Sequence, residues 1–421
     1  MNHFEYRGGA LCCEGVKLAD IAEAVGTPCY VYSTATLERH YQVFRDAFAP
    51  RDVLVAFAVK ANANISVLAT LARKGAGADT VSQGEIERAL MAGVPPSKII
   101  FSGVGKTADE LAFAVKAGVH EINVESRAEL ELLSEIARGL GKKAPIAIRV
   151  NPDVGAGGHE KISTGKGDAK FGVSPEQALA LHTRAADDPH LHAQGLAVHI
   201  GSQIRDLAPL EAAFRVMRSL AEKLRSEGIA IERLDLGGGL GVPYFNEPDP
   251  PSPAEYAAMV GRVFDGLDIG LSFEPGRMIA ANAGVLLAQV VRLQDRPRPI
   301  VVLDAAMNDL IRPAIYDAYH GIKPLREPTG AEQAVDVVGP ICETGDTFTR
   351  NRTLPPLEAG DLVAFMTAGA YGAVMASTYN ARPLVPEVLV RGDQFEVVRR
   401  RWEVAEQLKL ETLPAWLEGK A

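Results

Sequence analysis

Cysteine is scarce in this chain. The four present among 421 residues (Cys12, Cys13, Cys29 and Cys342) form no CxxC pair, so they suggest neither a disulfide framework nor a metal site. Basic charge is also short. Forty-four Lys and Arg against 53 Asp and Glu leave a net charge of −9, which gives no general attraction to nucleic acid or anionic membrane. No apolar run approaches the ~20 residues needed to span a bilayer, and the N-terminal MNHFEYRGG lacks the apolar core of a secretion signal. A reduced, cytoplasmic location is therefore the expectation. What remains is ordinary for a globular protein, 47% hydrophobic and 23% charged, and long enough for two domains.

The informative stretch is Val53–Asn64, VLVAFAVKANAN. Five of the seven residues from Val53 to Val59 are Val, Leu or Phe, as in a strand covered on both faces. Lys60 falls where that strand should end. A lysine there is partly desolvated, which favours the neutral amine and makes it a candidate nucleophile. The plain alternative is a lysine reaching back to water. Apolar strand candidates then recur at 53–59, 75–79, 98–102, 121–125, 145–150, 195–200, 232–236 and 270–274. Helix-like segments lie between them at 64–74, 83–92, 107–117, 126–140, 175–187 and 207–228. Such alternation predicts parallel strands joined by crossovers, and eight units over some 250 residues is the size of a closed (β/α)8 TIM-type barrel. Lys60, Asp79, Arg149, His199, Gly237–Gly239 and Glu274 each stand at or just past a strand end, where barrels carry their active sites.

Ahead of the barrel, ADIAEAVGTP predicts one helix stopped by Gly26 and Pro28. Tyr30–Ser33 reads as a strand, and Ser33 as the cap of a helix running to about Phe48. Beyond Arg277, strand candidates at 284–293, 299–304, 334–339, 361–366 and 386–399 lack regular helices between them. Gly392-Asp393 between alternating apolar residues signals a hairpin. The boundaries expected are an N-terminal segment over 1–30 packing with the β domain, a barrel over 31–280 and an antiparallel β-barrel or sandwich over 281–421. The irregular stretch 151–172, glycine-rich around His159–Lys170, is long enough to be an active-site lid.

Three consecutive glycines at 237–239 let backbone N–H groups approach an anion, though a tight barrel turn would use them too. The spacing is not GxGxxG, and Pro243 intervenes before any helix, so a dinucleotide fold is disfavoured. Gly105-Lys106-Thr107 is no P-loop, because Ile100 replaces the first glycine. A lysine for a Schiff base, an anion cradle, a carboxylate (Glu274) for a ring nitrogen and a ring (His199) to stack together suit pyridoxal 5′-phosphate.

Seven motifs extend this: AVKANAN, VHIGSQI, LDLGGGLGV, EPGR, DAAMNDLIRPAIYDAYH, VGPICETGDTF and AGAYGAVMASTYN. On them, from about Tyr30 to Arg401, the chain resembles the diaminopimelate decarboxylases, within the alanine racemase-like group of barrel decarboxylases. The resemblance implies that Lys60 holds the cofactor as a Schiff base, His199 stacks on its ring and Glu274 keeps the ring nitrogen protonated. Gly237, Gly238, Gly239, Gly276 and Tyr371 would hold the phosphate, with Ser202 nearby. Asp79, Glu85 and Arg149 would support the lysine and ring. Arg277, Arg312 and Tyr316 would bind the distal carboxylate of the substrate, with Tyr371 close to it. Cys342 and Glu343 would enter from the other subunit of a homodimer, Glu343 facing the distal ammonium. No metal is expected.

Two arginines and a tyrosine for a carboxylate, and an acid for an ammonium, suit a molecule with an amino acid at each end. The implied reaction is decarboxylation of meso-2,6-diaminopimelate to L-lysine and carbon dioxide, the last step of lysine biosynthesis. Cys342 or Lys60 would reprotonate Cα. The alternatives are a related decarboxylase acting on a D-amino acid, carboxynorspermidine, arginine or ornithine, and a cofactor-holding protein without catalysis. One departure from the family pattern is Ala306, where a glycine is expected.

Overall fold

The computed structural model describes residues 2–155, 164–165, 170–244 and 249–417. It divides into two compact units, one of residues 1–35 with 283–421 and one of residues 36–282. The chain opens with β1 (Phe4–Arg7), β2 (Ala10–Cys13) and β3 (Val16–Lys17), an antiparallel sheet that the sequence does not predict. Strands of two to four residues are too short to display an alternating period. Helix α1 (Leu18–Val25) and β4 (Cys29–Ser33) follow as expected. Helix α2 (Thr34–Asp46) starts directly after Ser33 and stops two residues short of Phe48.

In the second unit the strands are β5 (Val53–Ala58), β6 (Gly77–Thr80), β7 (Ile99–Phe101), β8 (Glu121–Val124), β9 (Ala144–Val150), β10 (Leu191–Val198), β11 (Arg233–Asp235) and β12 (Gly270–Phe273). All pair in parallel and close into a barrel in the order β10-β11-β12-β5-β6-β7-β8-β9. The helices between them are α3 (Ile65–Ala72), α4 (Gln83–Met91), α5 (Ala108–Ala117), α6 (Arg127–Leu140), α7 (Pro175–Ala186), α8 (Leu207–Ser226) and α9 (Pro253–Val263). Each starts behind a short polar cap (Asn64, Ser82, Thr107, Ser126, Ser174, Asp206 and Ser252) whose side chain accepts an N–H of the first turn. One such cap contributes about 1 kcal/mol, which explains why the helix starts are sharp and readable.

Helix α9 is the exception, absent from the sequence expectation because prolines crowd residues 243–253. Pro253 nevertheless sits in the first turn, where its missing N–H costs nothing. Behind the barrel wall, Phe44 and Phe48 pack on Tyr256 and Phe273, with the Phe48 and Phe273 rings stacked at 4.3 Å. Each such buried ring contributes some ~1.5–3 kcal/mol.

The remaining strands are β13 (Gly284–Gln294), β14 (Ile300–Leu303), β15 (Ile322–Pro324), β16 (Gln333–Val338), β17 (Thr347–Leu354), β18 (Leu362–Phe365), β19 (Glu387–Arg391) and β20 (Gln394–Arg399). Their sheet is mixed rather than antiparallel throughout, since β4 runs parallel to β19 and β14 parallel to β16. Both parallel pairs join strands that are far apart in sequence, so local pattern carries no trace of their direction. The β19–β20 hairpin forms as predicted, with Gly392 at φ +61°, a conformation that glycine supplies without strain. Ala306 is buried and keeps a negative φ, its N–H donating to Asp309, so the departure from glycine is accommodated. Among the described residues no helix is long and apolar enough to cross a membrane. Most of the expected lid lies outside the described residues.

His182 on α7 is fully buried, and neither ring nitrogen has a hydrogen-bond partner among the described residues. Burial holds it down at about 4, whereas an unfolded histidine titrates near ~6.5. The unfolded chain therefore gains a proton below pH ~6.5 that the fold refuses, so stability is complete above that pH and falls as the medium is acidified. Between pH 6.5 and 5 this one residue costs about 2 kcal/mol. His182→Leu should be the more stable protein at every pH and should lose less on acidification, as urea midpoints at pH 7.5 and 5 would report. Parallel losses in both proteins would contradict this.

Candidate active site

Strand β5 ends at Ala58, and Lys60 lies in the 3-10 turn Val59–Ala61 that follows. Parallel pairing sets Ala58 opposite Asp79 on β6, and this register brings the two side chains together. Lys60 Nζ donates to Asp79 Oδ2 at 2.6 Å, with the carboxylate wholly buried and the lysine side chain one-third exposed. The ion pair favours the ammonium, opposing the effect of burial on which the sequence expectation rests. Glu85 sits just behind the pair and accepts the Val81 N–H. Burial chiefly, with help from the charge of Asp79, pushes its carboxyl up to about 7.

Deeper in the barrel, alternate residues of each strand point inward, and several are polar. Asn123 Nδ2 donates to Ser102 Oγ at 3.0 Å and to Asp235 Oδ2 at 3.1 Å. Ser102 Oγ in turn donates to Glu274 Oε1, and Asp235 Oδ1 accepts the Gly237 N–H. Glu274 and Asp235 line one cavity, and burial raises both carboxyls. Burial, then the negative charges of Asp235 and Asp79, hold Glu274 well above the usual carboxylate range. Sequence reasoning found Glu274 and missed Asp235, Asn123 and Ser102. The available signal was a polar residue at an inward position of an otherwise apolar strand.

His199 follows β10. Its Nδ1 accepts the Gly238 N–H at 3.2 Å, which leaves the ring proton on Nε2. Burial first, then the charges of Lys60 and Arg149, push its basicity well below that of an ordinary histidine, so the imidazole stays neutral and flat. Arg149 pairs with Glu125 at 2.8 Å and lies over the Phe171 ring at 4.7 Å. Glu125 also accepts the Gly103 and Gly172 N–H groups and is a further residue the sequence reading missed.

The glycines at 237–239 are needed because there is no room for anything larger. A Cβ on Gly237 would stand 2.4 Å from the Val198 carbonyl, and one on Gly238 2.3 Å from that of Glu274. Gly276 is equally confined, against Ala58 and Ala61. From the short helix α10 (Arg277–Ala280), Arg277 donates to Ser202 Oγ through Nε and Nη2, at 3.2 and 3.1 Å, and to the Tyr244 hydroxyl at 2.6 Å. Tyr244 was not a sequence candidate.

The other candidates belong to the β unit. Arg312 and Tyr316 bracket the short helix α11 (Arg312–Tyr316), and the Arg312 side chain is buried. Tyr371 takes φ +55°, uncommon for a non-glycine residue. Cys342 and Glu343 are exposed on a loop that is firmly tied: Asp346 accepts the Met307 and Ile341 N–H groups, and the Cys342 N–H donates to Asn380. The other three cysteines are buried.

A cavity of about 170 Å³ is lined by Lys60, Arg149, His199 and Glu274 together with Ser102, Asn123 and Asp235. An amine, a flat neutral ring and a buried carboxyl around one cavity fit pyridoxal phosphate, and beside them the glycines at 237–239 keep the backbone bare of side chains, with the Gly237 and Gly238 N–H groups already donating to Asp235 and His199. The fold and cavity thus define the class of barrel-type pyridoxal enzymes. Comparison with known proteins narrows it. Residues 34–281 match the pyridoxal binding domain of the pyridoxal-dependent decarboxylases. A diaminopimelate decarboxylase of Zymomonas mobilis is 50% identical over 419 residues, 98% of this chain and 99% of that protein. Among solved structures, the diaminopimelate decarboxylase of Helicobacter pylori complexed with L-lysine superposes with a TM-score of 0.91 at 40% identity, covering 94% of this chain and 99% of that one. That of M. jannaschii in co-complex with L-lysine gives 0.94 at 35% identity, covering 99% and 100%. The chain belongs to the diaminopimelate decarboxylase family of pyridoxal-dependent decarboxylases.

Proposed function

We infer that the protein decarboxylates meso-2,6-diaminopimelate to L-lysine and carbon dioxide, the last step of lysine biosynthesis, with pyridoxal phosphate as cofactor. The observation that carries this is the ion-paired Lys60 facing a cavity with a neutral imidazole and the buried carboxyl of Glu274, in a chain whose relatives bear that name over nearly their whole length. The chemistry that bound pyridoxal phosphate supplies is an electron sink for the pair released when the Cα–carboxylate bond breaks.

Lys60 is the amine that would hold the cofactor, and Asp79 keeps it in place. Glu274 would meet the ring nitrogen. Burial and the nearby charge of Asp235 favour a proton on Glu274, which it would share with that nitrogen. His199, held by Gly238, would lie against the ring, backed by the Arg149–Glu125 pair. Gly237, Gly238, Gly239, Gly276, Tyr371 and Ser202 would hold the phosphate, where a side chain at the glycines would intrude. Arg277, Arg312 and Tyr316 would take the distal carboxylate of the substrate and Glu343 its distal ammonium. The Cys342 thiol would deliver the proton that replaces carbon dioxide at Cα. Its exposure, on a loop fixed by Asp346, supports a role in the site of a second copy, and we propose a homodimer with shared active sites. Free cysteines are in keeping with a cytoplasmic enzyme.

With meso-diaminopimelate and added pyridoxal phosphate, carbon dioxide and L-lysine should appear in equal amounts. Comparable release from an amino acid without the second carboxylate would contradict the substrate assignment. For shared sites, Lys60→Ala and Cys342→Ala should each be inactive alone. Co-assembled, they should recover about a quarter of the wild-type rate, since half the dimers carry one intact site of two. No recovery would mean that each subunit completes its own site.

A further inference from the structure

His320 lies four residues beyond the end of α11 and is almost completely buried. Arg312 Nη1 lies 3.0 Å from its Nε2, and its Nδ1 lies 3.0 Å from the Met366 carbonyl oxygen. A guanidinium has donors only and a carbonyl only accepts, so these two contacts leave one assignment. Nε2 accepts from Arg312, and Nδ1 carries the proton and donates it to Met366. The imidazole is neutral and of fixed tautomer.

Its backbone is held as firmly. The Met366 N–H donates to the Gly321 carbonyl, β15 continues the pairing with Ile322 opposite Phe365, and Arg352 Nη1 donates to the His320 carbonyl at 3.2 Å. The charged side chains that neighbouring elements bring to His320 include Arg312 from α11 and Arg352 from β17, the latter stacked on the Tyr319 ring at 3.7 Å. Protonating the imidazole would set an N–H against the N–H of Arg312 and add a third cation.

We propose that His320 is a positioning residue for substrate selection: as a neutral acceptor it fixes one edge of the Arg312 guanidinium and so aims the remaining donors at the distal carboxylate of the substrate. This rests on the assignment of Arg312 to that carboxylate. A planar guanidinium is rigid, so holding one nitrogen orients all three. The effect falls on recognition rather than on bond breaking. It applies equally to L-lysine, which keeps the same carboxylate, and not to cadaverine, which lacks it.

The test compares wild type, His320→Phe, His320→Gln and Arg312→Ala as holoenzymes at pH 8, for KM and kcat and for inhibition by L-lysine and by cadaverine. Phe offers no acceptor, and KM should rise about tenfold, with the lysine inhibition constant rising alongside, kcat falling far less and cadaverine inhibition unmoved. Gln can accept from Arg312 and donate to Met366, so it should restore KM at pH 8. If Arg312→Ala raises KM while His320→Phe leaves it as in wild type, the role given to His320 is wrong. An unchanged KM in Arg312→Ala would overturn the assignment of Arg312, and this inference with it. Should His320→Phe fail to fold, a His320→Gln variant whose KM rises as far as that of Arg312→Ala still refutes the proposal.

Discussion

The mouth of the barrel cavity depends on the pairing of a lysine with a carboxylate that has no access to water. An unpaired Asp79 at that depth would cost several kcal/mol, and Lys60 sits where the register of β5 on β6 delivers its ammonium to meet it. The pair holds the amine in one place and keeps a negative charge next to Glu274. That charge, with burial and the charge of Asp235, favours a proton on Glu274. Arg149 and Glu125 repeat the device on the other side of the cavity. Charges and dipoles fixed in this way before any ligand arrives need no rearrangement when one binds.

The β unit works by a different rule. It buries Arg312 behind a histidine acceptor, and it exposes Cys342 and Glu343 on a loop tied by backbone donors to Asp346 and Asn380. An exposed thiol on a rigid loop gains little stability for its own subunit, which is why it makes sense as a group presented outward.

Much of this was legible in the sequence. The barrel strands and six of its helices fall within a few residues of their expected places, because apolar runs and N-capping side chains are local signals. Strand-end residues such as Lys60, His199 and Glu274 were readable for the same reason. Other features were not. The short strands before Leu18 carry no period, the prolines around Pro253 masked a helix, and the parallel pairing of β4 with β19 joins opposite ends of the chain. Asp235, Asn123 and Glu125 escaped because their importance comes from what they face across the barrel. His320 sits inside a motif that the sequence displays openly, yet its role depends on the carbonyl of Met366, 46 residues away.

Whether Lys60 is the amine that holds the cofactor decides the account, and one measurement addresses it. The protein would be loaded with pyridoxal phosphate, reduced with borohydride to make the carbon–nitrogen bond permanent, digested and mapped by mass spectrometry. The account predicts a single modified peptide carrying the label on Lys60. Stoichiometric label on another lysine, with Lys60 unmodified, would contradict it.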